Sequence, residues 1–485
     1  MAYRHGVYNT EKATSLTAPI QGSAGLQVIF GTAPIHLTKN PAAAVNTPKL
    51  VYSFKEAAEA VGYSDDFENF TLCQSISACF QVFNVAPVIL VNVLDPNKTA
   101  HVTQNAEESV NVSDAAAVYD KPYVLLDTMT VKNGTAALEA GTDYEAAHND
   151  DGGVTITLIS ASAKAATTLK ITSKSLKPSG VTAADVVGGV DAATGAETGI
   201  ELVRRIYPTL GMVPGLLLAP GWSHNAVVAA ALQAKTENIN GNFSANAYID
   251  IAADSTGAVV YTGVPAAKTA LGVSSPHAVA LWPMGAVGDK KYYLSALLGA
   301  LTAYGDASNG DVPDNPSNKD LRITGTVLKD GTVVALDQQQ ANDVLNANGI
   351  MTAINVNGFK AWGNNTAAYP ATTDPKDRWV FVRRFFDWDG NNFVQTYFQK
   401  VDRLGNKRLI QSIVDSQNII GNGYVARDYC AGYRVEFRDD ENPVTDLLNG
   451  KLTVHTYLAP YIPAECIENI REYDVTALEN AMGGN

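Results

Sequence analysis

The chain has 485 residues, of which 46% are hydrophobic, 8% aromatic and only 17% charged. That charge density lies below the ~25% usual for soluble proteins, and the formal charge of −14 argues against coating nucleic acid or an anionic membrane. A surface so poor in charge is suited to being covered by other protein, and the length allows several domains with real cores. Residues 1–8 lack the apolar core of roughly 7–15 residues that a signal peptide needs. The longest apolar runs, 212–219 and 278–287, are broken by Pro and Gly and fall short of the ~18 residues of a membrane span. Cys73, Cys79, Cys430 and Cys466 have neither disulfide-scaffold nor zinc-knuckle spacing and read as buried thiols in a reducing cytoplasm.

Residues 1–20 are small and polar with no helical period, and read as an extended arm or a frayed end. Gly25-Leu26-Gln27-Val28-Ile29-Phe30-Gly31 predicts a buried strand. Helices follow over 54–61 and 67–84, the second with Leu72, Ile76, Cys79, Phe80 and Phe83 at steps of three and four. The continuous apolar run at 87–94 predicts a strand covered on both faces, so the opening is α/β. Between 99 and 178 short Val/Thr/Tyr runs at 123–126, 128–131, 154–159 and 168–173 alternate with turns such as Lys132-Asn133-Gly134. They predict a small inserted antiparallel β domain. Residues 101–200 hold 6 basic and 13 acidic side chains, as an exposed lobe would. The α/β pattern resumes near 186, with helices at 199–207 and 225–238 and a strand at 247–252. A Pro/Asn/Asp-rich loop spans 306–319. A last unit follows, with 8 basic and 4 acidic residues over 376–410.

Three motifs invite a chemical reading. Gly221-Trp222-Ser223-His224-Asn225 follows a strand and opens a helix, as a serine nucleophile elbow does. The fifth position is Asn rather than Gly, so Ser223 or Asn225 serves better as a helix cap, and an α/β hydrolase-like enzyme using Ser223 stays a remote alternative. Gly421-Asn422-Gly423 has the spacing of a dinucleotide fingerprint but follows a helical stripe, which predicts a helix ending at Gly421. Asp387-Trp388-Asp389-Gly390-Asn391 misplaces the glycine of a calcium loop and reads as a turn and cap before a helix over 391–401. The seven histidines never pair at metal-binding spacing. No catalytic, cofactor-binding or metal residue is assigned.

The order of several segments resembles the contractile tail sheath proteins of myophages and phage-like bacteriocins. They are His5-Gly6-Val7-Tyr8, the run from Asp191 to Ser223, Leu345-Asn346-Ala347-Asn348-Gly349-Ile350, Asn357-Gly358-Phe359-Lys360-Ala361-Trp362-Gly363, Pro313-Asp314-Asn315-Pro316-Ser317-Asn318-Lys319, 442–451 and 459–465. The resemblance covers nearly the whole chain outside the 99–178 insertion. It implies a structural subunit, not an enzyme and without a cofactor. Copies would stack as six-fold rings around an inner tail tube protein, bounded by baseplate and tail terminator proteins, with neither nucleic acid nor membrane insertion. Assembly would take place in the host bacterial cytoplasm, and the product would be the tail sheath of a phage or phage-like particle. A sheath of a related injection or secretion machine is the alternative.

The fold class implied is α/β (α+β) and multidomain. An N-terminal extended arm (1–20) precedes an α/β core (21–98 plus 186–372), a β-rich insertion (99–185), a C-terminal tube-proximal α/β domain (373–475) and an arm tip (476–485) that is either ordered or frayed. Strand exchange between copies would use Tyr3, His5, Val7, Tyr8 and Leu16 at one end and Ile467, Ile470 and Tyr473 at the other, within a 465–475 segment that is a second strand or part of the arm. The 451–458 stretch alternates and is assigned to the last unit's own sheet. Tube contact would use Gln395, Gln399, Arg403, Lys407 and Arg408.

Overall fold

The structure, a computed structural model, describes residues 20, 21 and 23–483. Its centre is an eight-stranded sheet in the order Phe359–Trp362, Ile350–Asn355, Ala278–Leu281, Asn246–Asp250, Leu216–Leu218, Gln27–Gly31, Val88–Asn92 and Lys49–Val51. The six inner strands are parallel and the two edge strands antiparallel. Every residue of Gln27–Gly31, Val88–Asn92 and Asn246–Asp250 is buried, as expected of parallel strands with helices on both faces. The predicted helix at 54–61 is present as Phe54–Val61, with the Ser53 side chain accepting from the Glu56 N–H. The one predicted at 67–84 starts later, at Leu72, and its last turn widens into a π-helix, Ala78–Phe83.

After Val88–Asn92 the chain leaves the sheet and builds two antiparallel sheets. One is ordered Val102–Asn111, Thr168–Leu176, Val124–Asn133, Ala136–Leu138; the other Tyr144–His148, Val154–Leu158, Ala116–Tyr119. They enclose an apolar cluster of their own around Tyr119, Val131, Tyr144, Ile156 and Ile171. The runs predicted separately at 123–126 and 128–131 form one strand. Its register slips around Thr128, whose hydroxyl accepts from the Lys174 N–H and donates to the Leu125 carbonyl. A bulge breaks the alternation that the sequence period depends on.

The last unit departs most from expectation. The 387–391 segment is no turn, because one helix, Val380–Tyr397, runs straight through it. Nor does a helix end at Gly421, since Lys407–Ala426 continues past it. The reason is packing. A Cβ at Gly421 would sit 1.9 Å from the Tyr433 ring, so the glycine permits contact between helix and strand. The strand expected at 451–458 is shifted to His455–Pro460 and, among the described residues, pairs with Cys430–Glu436 alone. Beyond it, 461–474 adopts neither helix nor strand, and the expected arm tip is a helix, Val475–Ala481, whose N-cap Asp474 accepts from the Ala477 N–H. Cys73, Cys79 and Cys430 are buried, and burial pushes Cys73 and Cys79 up to about 12, but Cys466 is exposed. None of the described helices is long and apolar enough to cross a membrane.

Two glycines of this unit make opposite predictions. Gly390 lies inside a helix with nothing near the position of a Cβ, so Gly390→Ala should stabilise by about 0.5–1 kcal/mol, read as a raised thermal midpoint. Gly421→Ala forces the Tyr433 ring aside and should destabilise by about 1–3 kcal/mol in the same measurement.

Candidate assembly surfaces

Helix Val380–Tyr397 is held on the core by a seam of buried polar groups. Arg384 pairs with Asp306 at the end of helix Leu294–Ser308 and donates to the Asp314 carbonyl at 3.1 Å. Burial pushes the Asp306 carboxyl up to about 6, against the opposing pull of the guanidinium and the Asp314 N–H. Arg383, the residue before it, donates to Asp387 Oδ1, one turn on, at 3.1 and 2.8 Å. Asp387 Oδ2 accepts from Asn246 and meets His277 Nδ1, both at 3.0 Å, while His277 Nε2 lies 2.9 Å from Glu237. Asn391 accepts from the Ser244 N–H and donates to the Ser244 carbonyl. On the far side Asp389, raised to about 6 by burial, accepts from Tyr433. The acids and amide that resemble a calcium loop are thus the helix's docking face. Among the described residues no group of three or more His, Cys, Asp or Glu is placed to hold a metal.

This docking aims the end of the helix outward. Gln395 and Gln399 are exposed there. The turn that follows exposes Phe398 (66%), Val401 (64%) and Leu404 (84%) with Arg403 beside them. Lys407 and Arg408 begin the next helix, which has no acidic residue in its first turn. The five residues expected at the tube lie along 395–408: Gln395 near the end of helix Val380–Tyr397, Gln399 and Arg403 in the turns after it, and Lys407 and Arg408 at the start of the next helix. The sequence points to the charges; the three bare apolar residues were missed, because in the sequence their spacing matches a core-facing stripe.

At the other end, strands Cys430–Glu436 and His455–Pro460 form a sheet that has two strands among the described residues. Tyr457 on it stacks under Arg434 at 4.0 Å and accepts from Arg438. The chain then runs out uncovered, with Ile467 and Ile470 each more than 85% exposed and Tyr473 also exposed. Arg378 donates to Glu465 at 3.2 Å and ties the start of this segment to the core. The N-terminal candidates Tyr3, His5, Val7, Tyr8 and Leu16 lie outside the described residues. The first described pair, Ile20–Gln21, runs parallel to Val85–Ala86.

Ser223 is fully buried and donates to Asp250 Oδ2, and its oxygen accepts from the Asp250 N–H, both at 3.0 Å. Asn225 caps the helix that follows. His224 stacks on Tyr293 instead of reaching the serine. A hydroxyl sealed in the core in this way is a structural hydrogen-bonding group, not an exposed nucleophile.

No protein-family model matches the chain. Curated sequences do. The tail sheath protein of Burkholderia phage BcepMu is 29% identical over a 496-residue alignment covering 100% of this chain and 99% of its own. A putative prophage major tail sheath protein of Pseudomonas aeruginosa UCBPP-PA14 is 28% identical over 286 residues, 58% of this chain and 70% of its own. Among solved structures, the sheath of an extracellular contractile injection system (PVC), in its contracted state, superposes with a TM-score of 0.57. The superposition covers 98% of this chain and 99% of that one at 16% identity, a likeness of fold. The class is therefore a multi-sheet α/β fold of the sheath type. Over its entire length the chain is similar in sequence to a phage tail sheath protein, as the resemblance read from the sequence implies.

The seam predicts its own failure. Arg384→Met leaves Asp306 buried without its partner and should cost about 3–5 kcal/mol, measured by denaturant unfolding. Replacing Lys55, in an exposed pair with Glu59, should change stability by less than about 0.5 kcal/mol.

Proposed function

We propose that this chain is the structural subunit of a contractile tail sheath. Copies stack as six-fold rings around an inner tube and contract to drive the tube through a target cell envelope. The observation that carries the reading is a sheet that has two strands among the described residues, followed by a segment without helix or strand whose Ile467, Ile470 and Tyr473 are exposed. One face of the pair packs on helix Lys407–Ala426 at Gly421 and Tyr433, but a sheet edge still presents main-chain N–H and C=O groups that a further strand can take up. The exposed segment after it and residues 1–19 before Ile20 are of a length to supply such strands to neighbouring copies. Such β-augmentation uses main-chain hydrogen bonds and links a different patch on each partner, so it builds an open lattice and tolerates changes in subunit orientation.

Domain roles follow the same reading. Residues 21–98 with 186–372 form the core, 99–185 an outward lobe, and 373–475 the tube-proximal domain. Its tube-facing surface is the 395–408 corner. Lys407 and Arg408 sit at the positive end of a helix dipole, where a cation costs about 0.3–1 kcal/mol, so an acidic partner surface accounts for them better than stability does. Phe398, Val401 and Leu404 supply the apolar centre of the contact, with the charges as its rim.

Contraction then changes which interfaces are made, without unfolding a subunit and without catalysis or a cofactor. If each copy gains on the order of 1–2 kcal/mol, a lattice of many copies releases enough for mechanical work, because the terms add along a cooperative assembly. Baseplate and terminator proteins would start and end the stack. The sheath of a phage-related injection system is the second reading, favoured by the likeness to such a sheath.

Negative-stain images of the purified protein should show hollow striated cylinders. Removing residues 1–18 should leave a soluble chain with an unchanged thermal midpoint that forms no cylinders; normal polymers from it would sink the arm assignment. Reversing charge at Lys407 and Arg408 should weaken co-sedimentation with tubes by roughly tenfold at low salt, while sheath-only polymers still form.

A further inference from the structure

The outward lobe meets the core through a cluster of rings. His36, in the turn Ile35–Leu37 of the core, is buried, and its Nδ1 has no hydrogen-bond partner. Three rings surround it: Phe70 of the core at 5.8 Å, Tyr123 of the lobe at 5.6 Å and His148 of the lobe at 5.1 Å. His148 Nε2 donates to the His36 carbonyl at 3.2 Å. Tyr123 packs edge-on to Phe70 and reaches Asp66 at 2.7 Å, with its backbone in the left-handed region (φ 57°). A tyrosine adopts that conformation only where its surroundings over-determine it.

We propose that this cluster is an acid-sensitive latch: with both imidazoles neutral the lobe is docked on the core, and protonating them releases it. A proton on His36 would place a cation among aromatic rings beside a second imidazole. Burial first, and then His148, lower the His36 pKa to about 3; burial also lowers that of His148, against the opposing effect of its bond to the His36 carbonyl. Besides His148, the titratable group that meets His36 from the lobe is Tyr123, and its hydroxyl is engaged with Asp66 and Asn69 of the 62–71 loop. Val154, opposite His148 in register, is neutral, and Lys39 and Glu145 are exposed.

The sign follows from linkage. A histidine near 6.5 when undocked and about 3 when docked holds the lobe fully above 6.5, and docking weakens progressively as the pH falls from 6.5 toward 3. Nothing in this inference depends on the sheath reading.

Hydrogen exchange of the full chain, read by mass spectrometry at about pH 7.5 and about pH 5 with labelling times scaled to intrinsic rates, tests the latch. Peptides over 34–38 and 144–148 should open up to about thirtyfold more at the lower pH, the factor one such histidine supplies. Strand Asn246–Asp250 should keep its protection. His36→Phe keeps a ring beside Phe70 and Tyr123 and takes no proton, so it should reduce the change to less than about threefold. His148→Gln, which still donates to the His36 carbonyl, should also reduce it and serves if the first variant does not fold. Equal opening of the wild type at both pH values overturns the latch. So does acid opening that spreads to Asn246–Asp250, or that persists undiminished in the variants.

Discussion

The buried ion pair between Arg384 and Asp306, with the Arg383–Asp387–His277 row beside it, is the constraint on which the arrangement of this molecule rests. The last unit is small: its own buried apolar cluster is Val312, Phe385, Tyr424, Cys430, Tyr433 and Val435. Val312 comes from the loop after helix Leu294–Ser308, so even that core is shared. A unit with so little apolar surface to bury cannot fix its orientation by hydrophobic contact alone, which has no direction. Charged groups with bidentate geometry have direction. They set the angle at which Val380–Tyr397 leaves the core, and through it the position of the 398–408 corner and of the two-stranded sheet.

The division of labour in the chain follows from this. The parallel sheet is saturated: its inner strands are buried on both faces and its edges are closed by short antiparallel strands. The periphery is unsaturated. Among the described residues the last sheet has two strands, the following segment is exposed, and apolar side chains stand exposed at a turn among cations. A closed centre with exposed ends suits the proposed role of a subunit that completes its neighbours, since a rigid centre can persist while partners change. The lobe adds a second attachment, where a ring cluster holds a polar atom without a partner. A junction that keeps such a defect is more easily loosened than the sheet beside it.

The sequence alone determined the elements whose residues interact locally or are buried all round. Continuous apolar runs at 25–31 and 87–94, helical spacing at 54–61 and alternation through 154–159 each correspond to the predicted element, since period and burial coincide there. It also determined the fold class, the antiparallel strands after residue 99 and the basic composition of 395–408. Tertiary structure alone decided the last unit. Asp387, Asp389, Gly390 and Asn391 have turn chemistry, and they form helix because Arg383, His277, Tyr433 and Ser244, distant in sequence or lying a turn away, satisfy their polar groups inside. Gly421 has the chemistry of a helix stop, and the helix passes through because the Tyr433 ring needs the space. Local propensity is worth about 1 kcal/mol per residue, and a buried partner outweighs it, so wherever long-range polar pairs replace an apolar core, the one-dimensional pattern cannot show which way the chain will fold.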